Sequence, residues 1–216
     1  MNRAVLLDRD GTVVELLYGK ETGYIDSPAR PSQIRLIPGA AGALKRLKAA
    51  GYKLILVSNQ PGVAKGRMTK EEFDASRGRF GDLLAEEGVR LDGEYYCLHH
   101  PNAAVQEYRR ACDCRKPKPG MILDAARDHS IDLAGSFVVG DDLNDVRAGA
   151  AAGCRTVLIS HVTGLLLDIL EDQNLRPDAV KGSLAEAADW LLSDSGDRPR
   201  PRQNAFKRTA IGRNRK

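Results

Sequence analysis

Short apolar runs alternate along the chain with amphipathic stretches, the pattern of a parallel sheet covered by helices on both faces. The runs Ala4–Leu7, Lys53–Val57, Glu94–Cys97, Ser136–Val139 and Arg155–Ile159 are mostly apolar and rich in β-formers, so each predicts a buried strand. Pro38 and Gly39 open a helix that places Ala40, Leu44 and Leu47 on one face and closes at Gly51. Thr69 and Glu72 form a capping box ahead of Phe73, Phe80 and Leu84, and Ser183 and Glu186 a second ahead of Trp190 and Leu191. Pro119 opens a helix reaching about His129, and a short Ala-rich helix over Asp142–Ala152 stops at Gly153. The predicted order, β-α-β-α-β-loop-α-β-α-β-α, is that of an α/β fold with a doubly wound, mainly parallel, Rossmann-like sheet. Glu15–Ile37 and Cys97–Arg115 are the long irregular stretches, and loops of that length are usually functional or tethered.

Composition narrows the picture where charge is located. The 216 residues carry a net charge of +4, but Ser195–Lys216 alone is +7, which leaves −3 for residues 1–194. The body is therefore not a basic surface that tracks nucleic acid, and nucleic acid is not an expected partner. Residues 195–216 are polar, rich in Pro and Arg and without apolar periodicity, and are expected to be a disordered tail on a single domain spanning 1–194. No apolar run reaches the roughly 20 residues of a membrane span. The expectation is a cytoplasmic monomer with no membrane contact.

Chemistry gathers at the predicted strand ends. The first strand runs into Asp8-Arg9-Asp10-Gly11-Thr12, where open α/β sheets bind ligands. One carboxylate there can attack an electrophile while the other donates and later accepts a proton. By itself Asp-x-Asp-Gly is also a turn or a calcium loop. The second strand ends at Ser58-Asn59-Gln60, groups able to bind phosphate oxygens, and the fourth at Gly140-Asp141-Asp142-x-x-Asp145. Arg115-Lys116-Pro117-Lys118 supplies fixed cations between them. Several acids around a phosphate dianion need a divalent cation and a lysine to offset their charge. Asp145 is either a supporting acid or a helix N-terminal charge.

These four motifs, in this order, resemble the haloacid dehalogenase (HAD) superfamily of aspartate-nucleophile phosphatases. The resemblance implies that Asp8 is the nucleophile, Asp10 the general acid and base, Ser58 a hydrogen-bond partner of the transferring phosphoryl group, and Lys116 its charge partner. It further implies Mg²⁺ held by Asp8, Asp141 and the backbone carbonyl of Asp10, a hard oxygen site.

The second long loop reads Cys97-x-His99-x₁₂-Cys112-x-Cys114. Three thiolates and an imidazole match a closed tetrahedral Zn²⁺ site, which leaves no open position and so is structural. Three cysteines cannot pair evenly, which argues against disulfides. Spacing alone leaves His100 open as the alternative to His99; Cys154 is expected to be a small buried residue.

This segment, with the Arg-Lys-Pro-x-Pro-Gly-Met that follows it, resembles the capless D-glycero-D-manno-heptose 1,7-bisphosphate 7-phosphatase family from about Ala4 to Leu192. The implied reaction is hydrolysis of the 7-phosphate of a sugar bisphosphate, on the way to nucleotide-activated heptose for surface glycans such as lipopolysaccharide. The resemblance also implies that Arg115 recognises the distal phosphate through its guanidinium fork, and that Gly23, Tyr24, Asn59, Gln60 and Pro61 line the substrate pocket. Three departures stand out: a longer stretch between Thr12 and Pro38, Pro61 in place of a common Ser, and Asp142 in place of a common Lys. Histidinol-phosphate phosphatase is the nearest alternative, though its loop is typically shorter. A polynucleotide 3′-phosphatase and a non-catalytic relative that keeps its zinc are the others.

Overall fold

The computed structural model describes residues 1–19, 23 and 25–193. Tyr24 and the predicted tail lie outside the described residues. Six parallel strands form the central sheet: β1 (Ala4–Leu7), β4 (Lys53–Asn59), β5 (Gly93–Cys97), β6 (Phe137–Gly140), β7 (Arg155–Ile159) and β8 (Ala179–Lys181). Their spatial order is β5-β4-β1-β6-β7-β8. The chain winds outward from β1 in one direction, returns to the other side of it, and winds out again, so the two halves meet between β1 and β6. A ligand crevice opens at the carboxyl ends of strands at such a point.

Successive strand residues face opposite helix layers, as a sheet buried on both sides requires. Val5, Leu7, Leu54, Leu56 and Val139 pack against α1 (Ala40–Ala49), α2 (Lys70–Glu86) and α6 (Leu184–Leu192). Leu6, Ile55, Val57 and Val138 pack against α3 (Gly120–His129) and α4 (Leu143–Ala152). Cys154 is fully buried in that second layer. The capping box opening α2 closes in both directions, with Thr69 Oγ1 accepting from the Glu72 amide at 3.1 Å and Glu72 Oε2 accepting from the Thr69 amide at 2.8 Å. The one opening α6 is half formed. Ser183 Oγ accepts from the Glu186 amide at 3.2 Å, but Glu186 reaches back to the Gly182 amide, one residue earlier, at 3.0 Å.

The five predicted strands are present, and residues 160–182 add two elements. There α5 (Gly164–Asp172) leads into the edge strand β8, pinned through Leu170 against Val146 and Leu158. The first long stretch holds a small antiparallel hairpin, β2 (Leu17–Tyr18) with β3 (Ile25–Asp26). Arg67, on the segment after β4, donates to both carboxylate oxygens of Asp26 at 2.8 and 2.6 Å and tethers that hairpin. No cap domain is inserted among the described residues. No helix among them is long and apolar enough to cross a membrane.

Candidate active site

Sheet register brings the motif residues to one level. Leu7 on β1 pairs with Leu56 on β4 and with Val139 on β6. Ser58 and Asp141 therefore stand two residues beyond the end of β1, alongside the Asp8–Asp10 loop. That loop is tight: the Val13 and Val14 amides both donate to the Arg9 carbonyl, at 2.9 and 2.8 Å. Gly11 has φ +78°, and a Cβ there would lie 2.1 Å from Asp141 Oδ2, so glycine is what lets Asp141 approach the loop. Gly140 does the same for Asp145, whose Oδ2 would meet a Cβ at 2.1 Å.

Carboxylate oxygens of Asp8, Asp141 and Asp145 lie within 4.8 Å of one another. Lys116 is 4% exposed, and its Nζ sits 2.8 Å from Asp8 Oδ1, 2.5 Å from Asp145 Oδ1 and 2.8 Å from the Val57 carbonyl. Burial works against its ammonium, but Asp145 and Asp8 prevail and hold its pKa above the ordinary lysine value. Burial, then Asp8 and Asp145, pushes Asp141 up to about 7. Burial also raises Asp145, against the pull of Lys116. Three acids against one lysine leave two negative charges on an all-oxygen donor set, which fits one divalent hard cation such as Mg²⁺.

Asp10 is compensated separately. Arg9 donates through Nε to its Oδ1 at 2.7 Å and through Nη2 to its Oδ2 at 3.1 Å. Gln60 Nε2 donates to Asp10 Oδ2 at 2.7 Å and to Ser58 Oγ at 3.1 Å. Sequence reasoning gave Arg9 no role; its only signal was a lone cation inside a buried strand-end motif.

Asn59 and Gln60, expected to line the pocket, both hydrogen-bond to other residues of the site. Asn59 makes a two-way amide pair with the Lys116 backbone, accepting from its N–H and donating to its carbonyl, each at 3.0 Å, and so fixes the lysine's position. Asp142, the departure from a common lysine, is exposed and caps α4 by accepting from the Asn144 amide at 2.7 Å. Asp145 completes that box by accepting from the Asp142 amide at 3.1 Å, so it is both a helix N-terminal charge and the partner of Lys116. Arg115 donates to the His99 carbonyl at 3.3 Å, at the edge of the cysteine loop. Pro61 is half-buried and begins the turn after β4. Gly23 occupies an exposed left-handed turn between β2 and β3.

The donor atoms of Cys97, His99, Cys112 and Cys114 converge within 4.8 Å. The three sulfurs lie 3.2–3.5 Å apart, and His99 Nδ1 is 3.4 Å from Cys114 Sγ. His100 Nδ1 instead accepts from the Asn102 amide at 3.1 Å, so His99 is the histidine of the cluster. Burial and then the Cys114 thiol raise the Cys97 pKa, since thiols this close ionise together only around a cation. Three soft thiolates and one imidazole fit a closed tetrahedral Zn²⁺ site. A separate groove of about 440 Å³, bounded by Val63, Arg67, Met68, Lys70, Val105 and Tyr108, runs between the turn after β4 and this loop.

The sheet order and the carboxylates flanking β1 and β6 define a hydrolase of the haloacid dehalogenase class, and a family model described as HAD-hyrolase-like matches residues 113–187. Among curated proteins, D-glycero-beta-D-manno-heptose-1,7-bisphosphate 7-phosphatase of Salmonella typhi is 38% identical over 91% of this chain and 93% of its own length. The protein of the same name from Pasteurella multocida is 41% identical over 86% of this chain and 95% of its own. The chain belongs to this family of heptose bisphosphate phosphatases. Among solved structures, D,D-heptose 1.7-bisphosphate phosphatase from B. bronchiseptica, complexed with magnesium and phosphate, matches with a TM-score of 0.71 and 33% identity. That match covers 88% of this chain and 98% of that one.

Proposed function

We propose that the protein is a Mg²⁺-dependent phosphatase that removes the 7-phosphate of D-glycero-β-D-manno-heptose 1,7-bisphosphate, acting as a monomer in the cytoplasm. The observation that carries the chemistry is the Lys116 ammonium shared between Asp8 and Asp145, which leaves a cationic group against the one carboxylate at the end of β1. The β configuration follows the names of the curated relatives.

In this reading, an Asp8 carboxylate oxygen attacks the 7-phosphorus, the P–O bond to the sugar breaks, and a proton from Asp10 passes to the leaving oxygen to give the alcohol. Water then attacks the aspartyl-phosphate. Its proton goes to Asp10, the P–O bond to Asp8 breaks, and inorganic phosphate leaves with the Asp8 carboxylate restored. Ser58 and Lys116 hold the equatorial oxygens in both half-reactions, a purely positional and electrostatic role. Asp8, Asp141 and the Asp10 carbonyl would hold Mg²⁺, which when bound would supply positive charge to offset the acids beside a phosphate dianion. Arg115 engages the 1-phosphate, and Gly23, Tyr24 and Pro61 contribute to sugar binding. Asn59 and Gln60 serve the site through Lys116, Asp10 and Ser58. Residues 1–194 form the catalytic unit.

The test is Mg²⁺-dependent phosphate release from α- and β-heptose 1,7-bisphosphate, fructose 1,6-bisphosphate, histidinol phosphate and a 3′-phosphorylated oligonucleotide. The expected result is the highest kcat/KM on the β-heptose substrate. Preference for histidinol phosphate or the oligonucleotide would keep the aspartate chemistry and overturn the sugar assignment.

A further inference from the structure

Among the described residues Arg9 is the largest fully buried side chain, 1% exposed, and it sits between the two aspartates of the first motif. Burying a guanidinium is unfavourable unless a carboxylate and hydrogen bonds compensate it. Asp10 is the carboxylate it meets, in a two-pronged contact at 2.7 and 3.1 Å. Gln60, 3% exposed, closes the arrangement: its carbonyl oxygen accepts from Arg9 Nη2 at 3.0 Å while its amide nitrogen donates to Asp10 and Ser58. The orientation of that amide is dictated by its neighbours. Reversed, it would set N–H against N–H at Arg9 and oxygen against oxygen at Asp10.

We infer that Arg9 and Gln60 are positioning residues for proton transfer, a buried clamp that fixes where the Asp10 carboxylate points. A carboxylate offers about four lone-pair directions. Oδ2 receives two donors and Oδ1 one, so the free direction is on Oδ1 and the catalytic proton enters and leaves there. Through the Gln60 amide the same clamp ties the proton-transfer group to Ser58, which holds the phosphoryl group. The donor and the group it serves are thereby kept in one register. This gives Gln60 a different use from contact with sugar. The inference rests on the reading of Asp10 as the proton donor.

That dependence can be separated by leaving group. An alkyl phosphate needs its departing oxygen protonated, whereas 4-nitrophenyl phosphate releases a stable phenolate without help. Positioning of a general acid, worth about 10²–10⁴-fold in full, should therefore matter for the first substrate and little for the second. The variants are Arg9→Lys, which keeps the charge but cannot fork, and Gln60→Met, which keeps the bulk but cannot hydrogen-bond. Asp10→Asn serves as the reference, and kcat/KM reports the phosphorylation step alone.

The expected outcome for both clamp variants is a loss on the sugar phosphate about 10- to 100-fold larger than the loss on 4-nitrophenyl phosphate, in the same sense as Asp10→Asn. Equal losses on both substrates would mean a merely structural role and overturn the clamp. So would full activity on both, or an Asp10→Asn reference that shows the leaving-group dependence while neither clamp variant does. An Asp10→Asn variant with no leaving-group dependence would overturn the reading of Asp10, and the clamp with it. Should Arg9→Lys fail to fold, Gln60→Met decides the question.

Discussion

Replacing Lys116 with methionine removes the one cation shared by the acids of the site while keeping most of its length. In the native protein its ammonium contacts Asp8, Asp145 and the Val57 carbonyl, and both it and Asp145 are almost wholly buried. Losing one partner of a buried pair leaves an uncompensated charge, at a cost of about 3–5 kcal/mol. For a domain of this size, 1 kcal/mol shifts Tm by roughly 2–4 °C. The expected fall is therefore about 6–20 °C, or the equivalent drop in urea midpoint, measured without added Mg²⁺ at pH 8. The loss must shrink toward pH 5. Without the lysine the carboxylates take up protons in the folded state more readily than in the unfolded chain, and stability then falls as pH rises. Adding Asp145→Asn to the variant should recover much of the loss, since one buried charge is gone. A loss below about 1 kcal/mol at pH 8, with the pH dependence of the parent, would refute the idea that Lys116 is the counter-charge of this site.

The same acids set a pH dependence in the metal-free protein. Asp141 titrates near 7 when folded, because of burial and then Asp8 and Asp145, so between about pH 4 and 7 the folded state holds a proton the unfolded chain has lost. Stability without Mg²⁺ should fall by about 1–3 kcal/mol across that window and level off above it, added Mg²⁺ should reverse the fall at pH 8, and Asp141→Asn should flatten the curve. Gly11→Ala would force a Cβ into Asp141 at a left-handed position, so Mg²⁺ affinity by calorimetry should drop at least tenfold, with a stability loss of about 1–2 kcal/mol. Cys112→Ser should lower bound zinc and Tm before it alters turnover, and unchanged metal content by plasma emission would dismiss the zinc site. Deleting residues 195–216 should leave kcat/KM for the sugar bisphosphate unchanged, which steady-state kinetics reads directly.

The strands around the site were legible because their residues are apolar on both faces and stop at polar, chemistry-bearing residues. Ala4–Leu7 followed by Asp8, and the run through Val139 followed by Asp141, carry that signal in the chain itself. Helix starts were legible where a cap is local, as at Thr69 and Glu72. The 160–182 region was not. Leu165 and Leu167 face solvent, and β8 is a three-residue edge strand whose half-buried side chains have no period to read. The capping box of α6 failed by one residue because Glu186 found the Gly182 amide, a choice of rotamer rather than of spacing.

What the sequence by itself determined is the set of groups at the strand ends and the four metal-ligand types of the cysteine loop, because both are written in residue identity and short-range order. Which group faces which was decided by the tertiary structure. Lys116 reaches Asp8 across 108 positions, Asn59 locks the Lys116 backbone, and Gln60 bridges Asp10 and Ser58. Asp142 turns out to cap a helix. The physical reason is that hydrogen bonds and ion pairs between buried groups depend on distances of a few tenths of an ångström. Those distances are set by sheet register and helix packing, which no local run of residues contains.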